Sequence, residues 1–111
     1  MLNLRVKKLK SSAEKNVGLI GSKQVYPVFF QTRWGIHTFG LKFAIDVLIL
    51  DSRFQVVKKV TDLPPNRIFF WPVVYQNVVE LPAGDIRRLK IKPGDQINFS
   101  PNTSSPHILP N

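Results

Sequence analysis

The chain has no cysteine, only seven acidic residues against sixteen basic ones, and two histidines. Each shortage closes off some chemistry. Without cysteine there is no disulfide framework, no thiol nucleophile and no cysteine-ligated zinc or iron–sulfur centre. The seven carboxylates are spread singly, so no pair stands ready for general acid–base work. A catalytic triad would have to use His37, because His107 falls in a C-terminal stretch of turn-forming residues. Long hydrophobic runs are missing too. Ahead of the C-terminal stretch, the longest uncharged run, 68–79, contains Pro72, Gln76 and Asn77 and falls short of the ~20 apolar residues that span a bilayer. The N-terminal MLNLRVKKLKSSAEKN is basic and lacks the apolar centre of a secretory signal. The expectation is a cytoplasmic protein, neither exported nor inserted in a membrane.

At 111 residues the chain suits one domain. Its hydrophobic fraction of 43% and charged fraction of 21% are those of an ordinary globular protein. The net charge of +9 invites a nucleic-acid reading. That charge is dispersed, however. Six basic residues (Arg5, Lys7, Lys8, Lys10, Lys15, Lys23) precede position 24 and the others are scattered.

Short β-type runs separated by turn signals dominate. In NLRVKKL (3–9) Leu4 and Val6 share a side, and SSAE (11–14) has the form of a capping box that starts a short helix ending near Gly21. VYPVFF (25–30), WGIHTF (34–39), IDVLIL (45–50) and FQVVKKV (54–60) follow as strands, with Pro27 marking the first as an edge strand or an irregular one. Asp51-Ser52-Arg53 is a tight connection. LPPN (63–66) breaks the chain before RIFFW (67–71), and NVVEL (77–81) is a further strand. A short helix is expected over 85–89. Lys92-Pro93-Gly94-Asp95 suits a type II turn before QINF (96–99). The fold class is therefore mostly β, a single-domain sandwich or small barrel-like fold over 1–99 with one or two short helices. Residues 100–111, with three prolines, are expected to be a disordered tail.

The segments IHTFGLKFAIDVLILD, VVELPAG and LKIKPGDQI, together with GLIG (18–21) and LPPNRIFFW, resemble the widespread prokaryotic domain-of-unknown-function family 192 over roughly residues 4–99. The resemblance implies a compact, mostly-β domain with a short helix after LPAG. It implies no activity. Asp46 falls on the family's recurrent strand aspartate, and at position 37 many relatives carry Trp in place of His.

His37 and Asp46 stand out because each lies among apolar residues, and a polar group buried without a partner costs several kcal/mol, roughly. If 34–39 and 45–50 form an antiparallel hairpin, facing residues have numbers summing to 83 and His37 meets Asp46. Three readings stay open. The pair orders the hairpin, or Asp46 instead binds backbone amides of a neighbouring loop; the pair lines a small ligand pocket beside Gly35 and Ala44; or it is catalytic.

In RIFFW, Arg67, Phe69 and Trp71 share one face, and Ile68 and Phe70 the other. Both faces being aromatic or apolar, the strand is expected to be interior, with an aromatic-plus-arginine binding wall as the functional alternative. Single-stranded nucleic acid requires exposed aromatics interleaved with cations. Tyr26, Phe29, Phe30, Arg33 and Trp34 come nearest, although Phe29 and Trp34 read as buried. No phosphate loop, GxSxG or HExxH occurs. His37 and Asp46 alone are too few for a usual zinc site.

The functional expectation is a non-enzymatic ligand- or partner-binding module without cofactor or metal. Its candidate binding residues are His37, Asp46, Arg33, Arg67 and Trp71, and its partner is a small ligand or a protein. The alternative is a basic nucleic-acid-binding β domain.

Overall fold

The computed structural model describes residues 2–8, 26–33, 35–72 and 74–101. Among the described residues eight strands form: β1 (Leu2–Lys8), β2 (Val28–Gln31), β3 (Ile36–His37), β4 (Ile45–Leu50), β5 (Val56–Leu63), β6 (Ile68–Phe69), β7 (Asn77–Pro82) and β8 (Ile97–Pro101). One helical turn, α1 (Asp85–Arg88), lies between β7 and β8. The helix expected at 11–21 and the tail from 102 lie outside the described residues. β8 itself runs two residues past position 99, pairing Ser100 and Pro101 with Arg5 and Val6 of β1.

Six strands make one sheet in the order β5-β4-β7-β2-β1-β8, and β3 pairs with β6 as a separate two-stranded ribbon. The sheet curls until its two edges meet. Gln55 bridges Gln96, the Ile97 amide donates to the Phe54 carbonyl at 3.0 Å, and the Val56 amide donates to the Asp95 carbonyl at 2.9 Å. The barrel-like expectation is met by this curled, partly closed sheet.

Period-two alternation along the strands divides the apolar residues between two cores. Inside the curl lie Leu4, Val6, Phe29, Leu48, Leu50, Val79, Leu81 and Ile97, plugged by Ile86 of α1 and by Ile91. The opposite face carries Val28, Phe30, Ile45, Val47, Ile49 and Val78, and Ile36, Phe69, Trp71 and Tyr75 cover it. All six residues of β4 are buried because both of its faces are roofed.

Three expectations are corrected. The stretch 34–39 does not pair with β4, which takes β5 and β7 as neighbours. A strand apolar on both faces needs a full ladder on each side, which a two-residue strand cannot supply. Instead the chain turns at Thr38, whose amide donates to the Arg67 carbonyl at 2.8 Å and whose buried hydroxyl accepts from the Arg67 amide at 2.9 Å. Secondly, β2 is not an edge strand but lies between β1 and β7. Pro27 precedes its first residue and offers only its carbonyl, to the Lys7 amide, so the missing N–H costs no ladder bond. Thirdly, RIFFW is not interior. A two-stranded ribbon on a sheet has one covered face and one bare one, and Ile68 and Phe70 are 56% and 69% exposed.

Helix α1 ends in a Schellman arrangement: the Ile91 amide reaches the Ile86 carbonyl and the Lys90 amide reaches that of Arg87. Lys90 carries the left-handed conformation this demands, with φ 58°. Glycine adopts it without the Cβ penalty. Lys90→Gly is therefore expected to raise the unfolding free energy by about 0.5–1 kcal/mol, read from urea midpoints; a fall in midpoint contradicts that reading. At the next turn, Asp95 accepts from the Lys92 backbone amide at 2.9 Å and pairs with its ammonium at 3.1 Å. These contacts, the amide first, hold the Asp95 carboxyl below the usual aspartate value.

Candidate functional site

Asp46 is fully buried on the inner face of β4, alongside Leu48 and Leu50. Its Oδ2 accepts from the Gly84 and Ile86 amides at 3.0 and 2.9 Å, and its Oδ1 from the Asp62 amide at 3.0 Å. The register explains the third bond. Ile45 pairs with Leu63 but Val47 with Val60, so β5 bulges by one residue opposite Asp46. Asp62 takes φ 54° there, within the bulge, while its amide serves as donor to Asp46. One carboxylate thus ties β4 to the β5 bulge and to the turn that opens α1. This is the arrangement in which Asp46 binds backbone amides of neighbouring loops.

His37 lies on the other side of the sheet. The ribbon pairs Ile36 with Phe69 and His37 with Ile68. Ile36 and Phe69 face the outer core, so alternation puts His37 and Ile68 on the solvent face. His37 and Asp46 therefore do not meet, and the facing register of a 34–50 hairpin is corrected to these two separate pairings.

The solvent face of the ribbon is unusual in composition. The His37 ring stacks on Phe39 with centroids 5.3 Å apart and planes at 28°. Phe70 lies over Gly35, where an added Cβ would stand 2.9 Å from the Phe70 ring and 2.4 Å from the Phe69 carbonyl. Phe39, Ile68 and Phe70 are exposed, as are Phe43 in the following turn and Val74 beyond Trp71. Isolated exposed apolar residues are normal, but a contiguous group marks a contact surface more often than chance.

Cations occur on the segments that form the ribbon. Arg67 is exposed next to Ile68, and Arg33 and Lys42 are exposed on the segments flanking β3. On the covered side, the Lys58 ammonium lies 5.7 Å from the centre of the Phe69 ring. No acidic residue occurs in 26–45 or 63–79. Trp71 is half-buried against the outer core, with its indole N–H donating to the Tyr75 carbonyl.

The structure thus brings His37 and Arg67 onto the same ribbon, with Trp71 beneath its continuation and Arg33 ahead of it, and sets Asp46 apart. Sequence reasoning missed Phe39, Phe43, Ile68, Phe70 and Val74. No local signal separated RIFFW from a buried strand, since β2 is shorter still and central. Among the described residues no three His, Cys, Asp or Glu side chains gather as metal ligands, and no helix is long and apolar enough to cross a membrane.

The family model described as Uncharacterized ACR, DUF192, matches residues 2–99. A UPF0127 protein of Pyrococcus abyssi is 36% identical over 81 residues, covering 71% of this chain and 68% of the relative. A second, from Pyrococcus horikoshii, is 35% identical over 95 residues, covering 80% of this chain and 82% of that one. Two crystal structures share the fold. One is a protein of unknown function from Novosphingobium aromaticivorans, with TM-score 0.68 and 20% identity over 82% of this chain and 71% of that one. The other comes from Sinorhizobium meliloti, with TM-score 0.69 and 19% identity over 82% and 78% of the two chains. At such identities the likeness is one of fold.

Proposed function

The chain belongs to the uncharacterised DUF192 family, and from that premise we propose that it is a non-enzymatic binding module whose contact face is the bare side of the β3–β6 ribbon. His37 contributes directly to that face, and Arg67, Arg33 and Trp71 flank it. Asp46 supports it from a distance by fixing the sheet. The single observation that carries this reading is the run of exposed rings and aliphatic side chains, Phe39, Ile68 and Phe70 with His37, on one small surface. Leaving a large apolar side chain in water forgoes about 1.5–3 kcal/mol of burial. A partner that covers several of them recovers it.

The test is a photo-cross-linking residue placed at position 70 in cells and, for comparison, at the exposed Arg87 on α1. A discrete adduct formed from position 70 and not from position 87 is expected. No adduct at 70, or the same pattern at both positions, contradicts the assignment of the face.

A further inference from the structure

Resting on that reading of the ribbon, we propose that the partner is single-stranded nucleic acid, stacked on Phe70, Phe39 and His37 and steered by Arg67, Arg33 and Lys42. Three features converge. First, the ribbon offers ring faces. His37 and Phe39 already stack at 28°, and Phe70 is 69% exposed with Gly35 close beneath it. Bases stack on such faces whatever their sequence.

Second, Arg33, Lys42 and Arg67 are exposed on the two segments that build the ribbon, and neither segment carries a carboxylate. A phosphate chain crossing this face meets attraction without local repulsion. Third, the whole chain carries +9, so the long-range field favours an anionic polymer. An acidic peptide matches the charge equally well. Its aliphatic anchors need concave sites to fill, whereas flat exposed rings suit bases.

The experiment uses the full chain with fluorescein-labelled dT12 and U12 at 50 and 200 mM salt, followed by anisotropy. Saturable binding of both single strands is expected at the lower salt. Phe70→Ala weakens it about tenfold without moving the melting temperature, since the ring is largely in water, and Phe70→Tyr retains it. Two or three phosphate contacts weaken binding roughly 7- to 18-fold between the two salts, and Arg67→Gln lowers the log–log slope by about 0.7.

No saturable binding at 50 mM salt, or binding that Phe70→Ala leaves untouched, overturns the proposal. Nuclease treatment of the position-70 adduct separates the two levels of the reading. A nuclease-resistant protein adduct overturns nucleic acid as partner and keeps the contact face, while absence of any adduct overturns both.

Discussion

Asp46→Ala lowers the unfolding free energy by about 3–5 kcal/mol. The carboxylate is fully buried and accepts three backbone amides, from Asp62, Gly84 and Ile86. Charge-assisted bonds of this kind are worth about 1.5–3 kcal/mol each, and an orphaned buried donor costs about 1–3 kcal/mol. The three do not add in full, because Asp62 and Gly84 are exposed residues and water reaches their amides once the carboxylate has gone. Asp46→Asn keeps one acceptor oxygen and is expected to lose about half as much. Urea denaturation followed by tryptophan fluorescence gives both values. A loss below about 1 kcal/mol for the alanine variant would mean that the carboxylate holds these elements no better than a surface pair does.

Gly35→Ala disrupts the ribbon and spares the sheet. At φ 83° a side chain costs about 1–2 kcal/mol on conformation alone. The new Cβ must also occupy a point 2.4 Å from the Phe69 carbonyl oxygen, which is backbone and cannot rotate away. The strands are driven apart, at a combined cost of about 3 kcal/mol or more. Amide hydrogen exchange reads where the damage falls. The Thr38 and Arg67 amides, which bond across the ribbon, lose protection, while those of β4 and β7 keep most of theirs. Uniform loss across both sheets contradicts the separation of ribbon from sheet.

The two substitutions also show what could be read from the chain before its structure was known. IDVLIL announced a strand, and a carboxylate within it announced either a paired group or a binder of loop amides. The second of those alternatives holds. Its partners, however, lie 16 to 40 residues away in the chain and depend on a bulge that period-two patterning does not reveal. The short helix after LPAG, the Lys92–Asp95 turn and the Asp51–Arg53 connection were legible because each rests on local backbone chemistry. Asp51, for example, accepts from the Arg53 and Gln55 amides within its own loop.

Pairing was not legible. The hairpin rule assumes that neighbours in sequence are neighbours in the sheet, and β4 instead took β5 and β7, whose longer ladders bury both of its faces. The same gap hid the candidate surface. RIFFW has two apolar faces, and only topology shows that a ribbon of two strands leaves one of them in water. His37 and Arg67 were found from residue chemistry. Ile68 and Phe70, which lie on the exposed side with His37, were assigned to the interior by the same hydrophobicity that now makes them candidate contacts.

The most direct measurement compares Asp46→Asn with Phe70→Ala on two scales at once, the urea midpoint and the yield of cross-linked complex from a probe at position 43, at a temperature where both variants are folded. Asp46→Asn is predicted to lower the midpoint and leave the complex intact, and Phe70→Ala to leave the midpoint and weaken the complex about tenfold. The reverse pattern, with the complex lost through Asp46 and indifferent to Phe70, would place the site on the other side of the sheet and contradict the assignment to the ribbon.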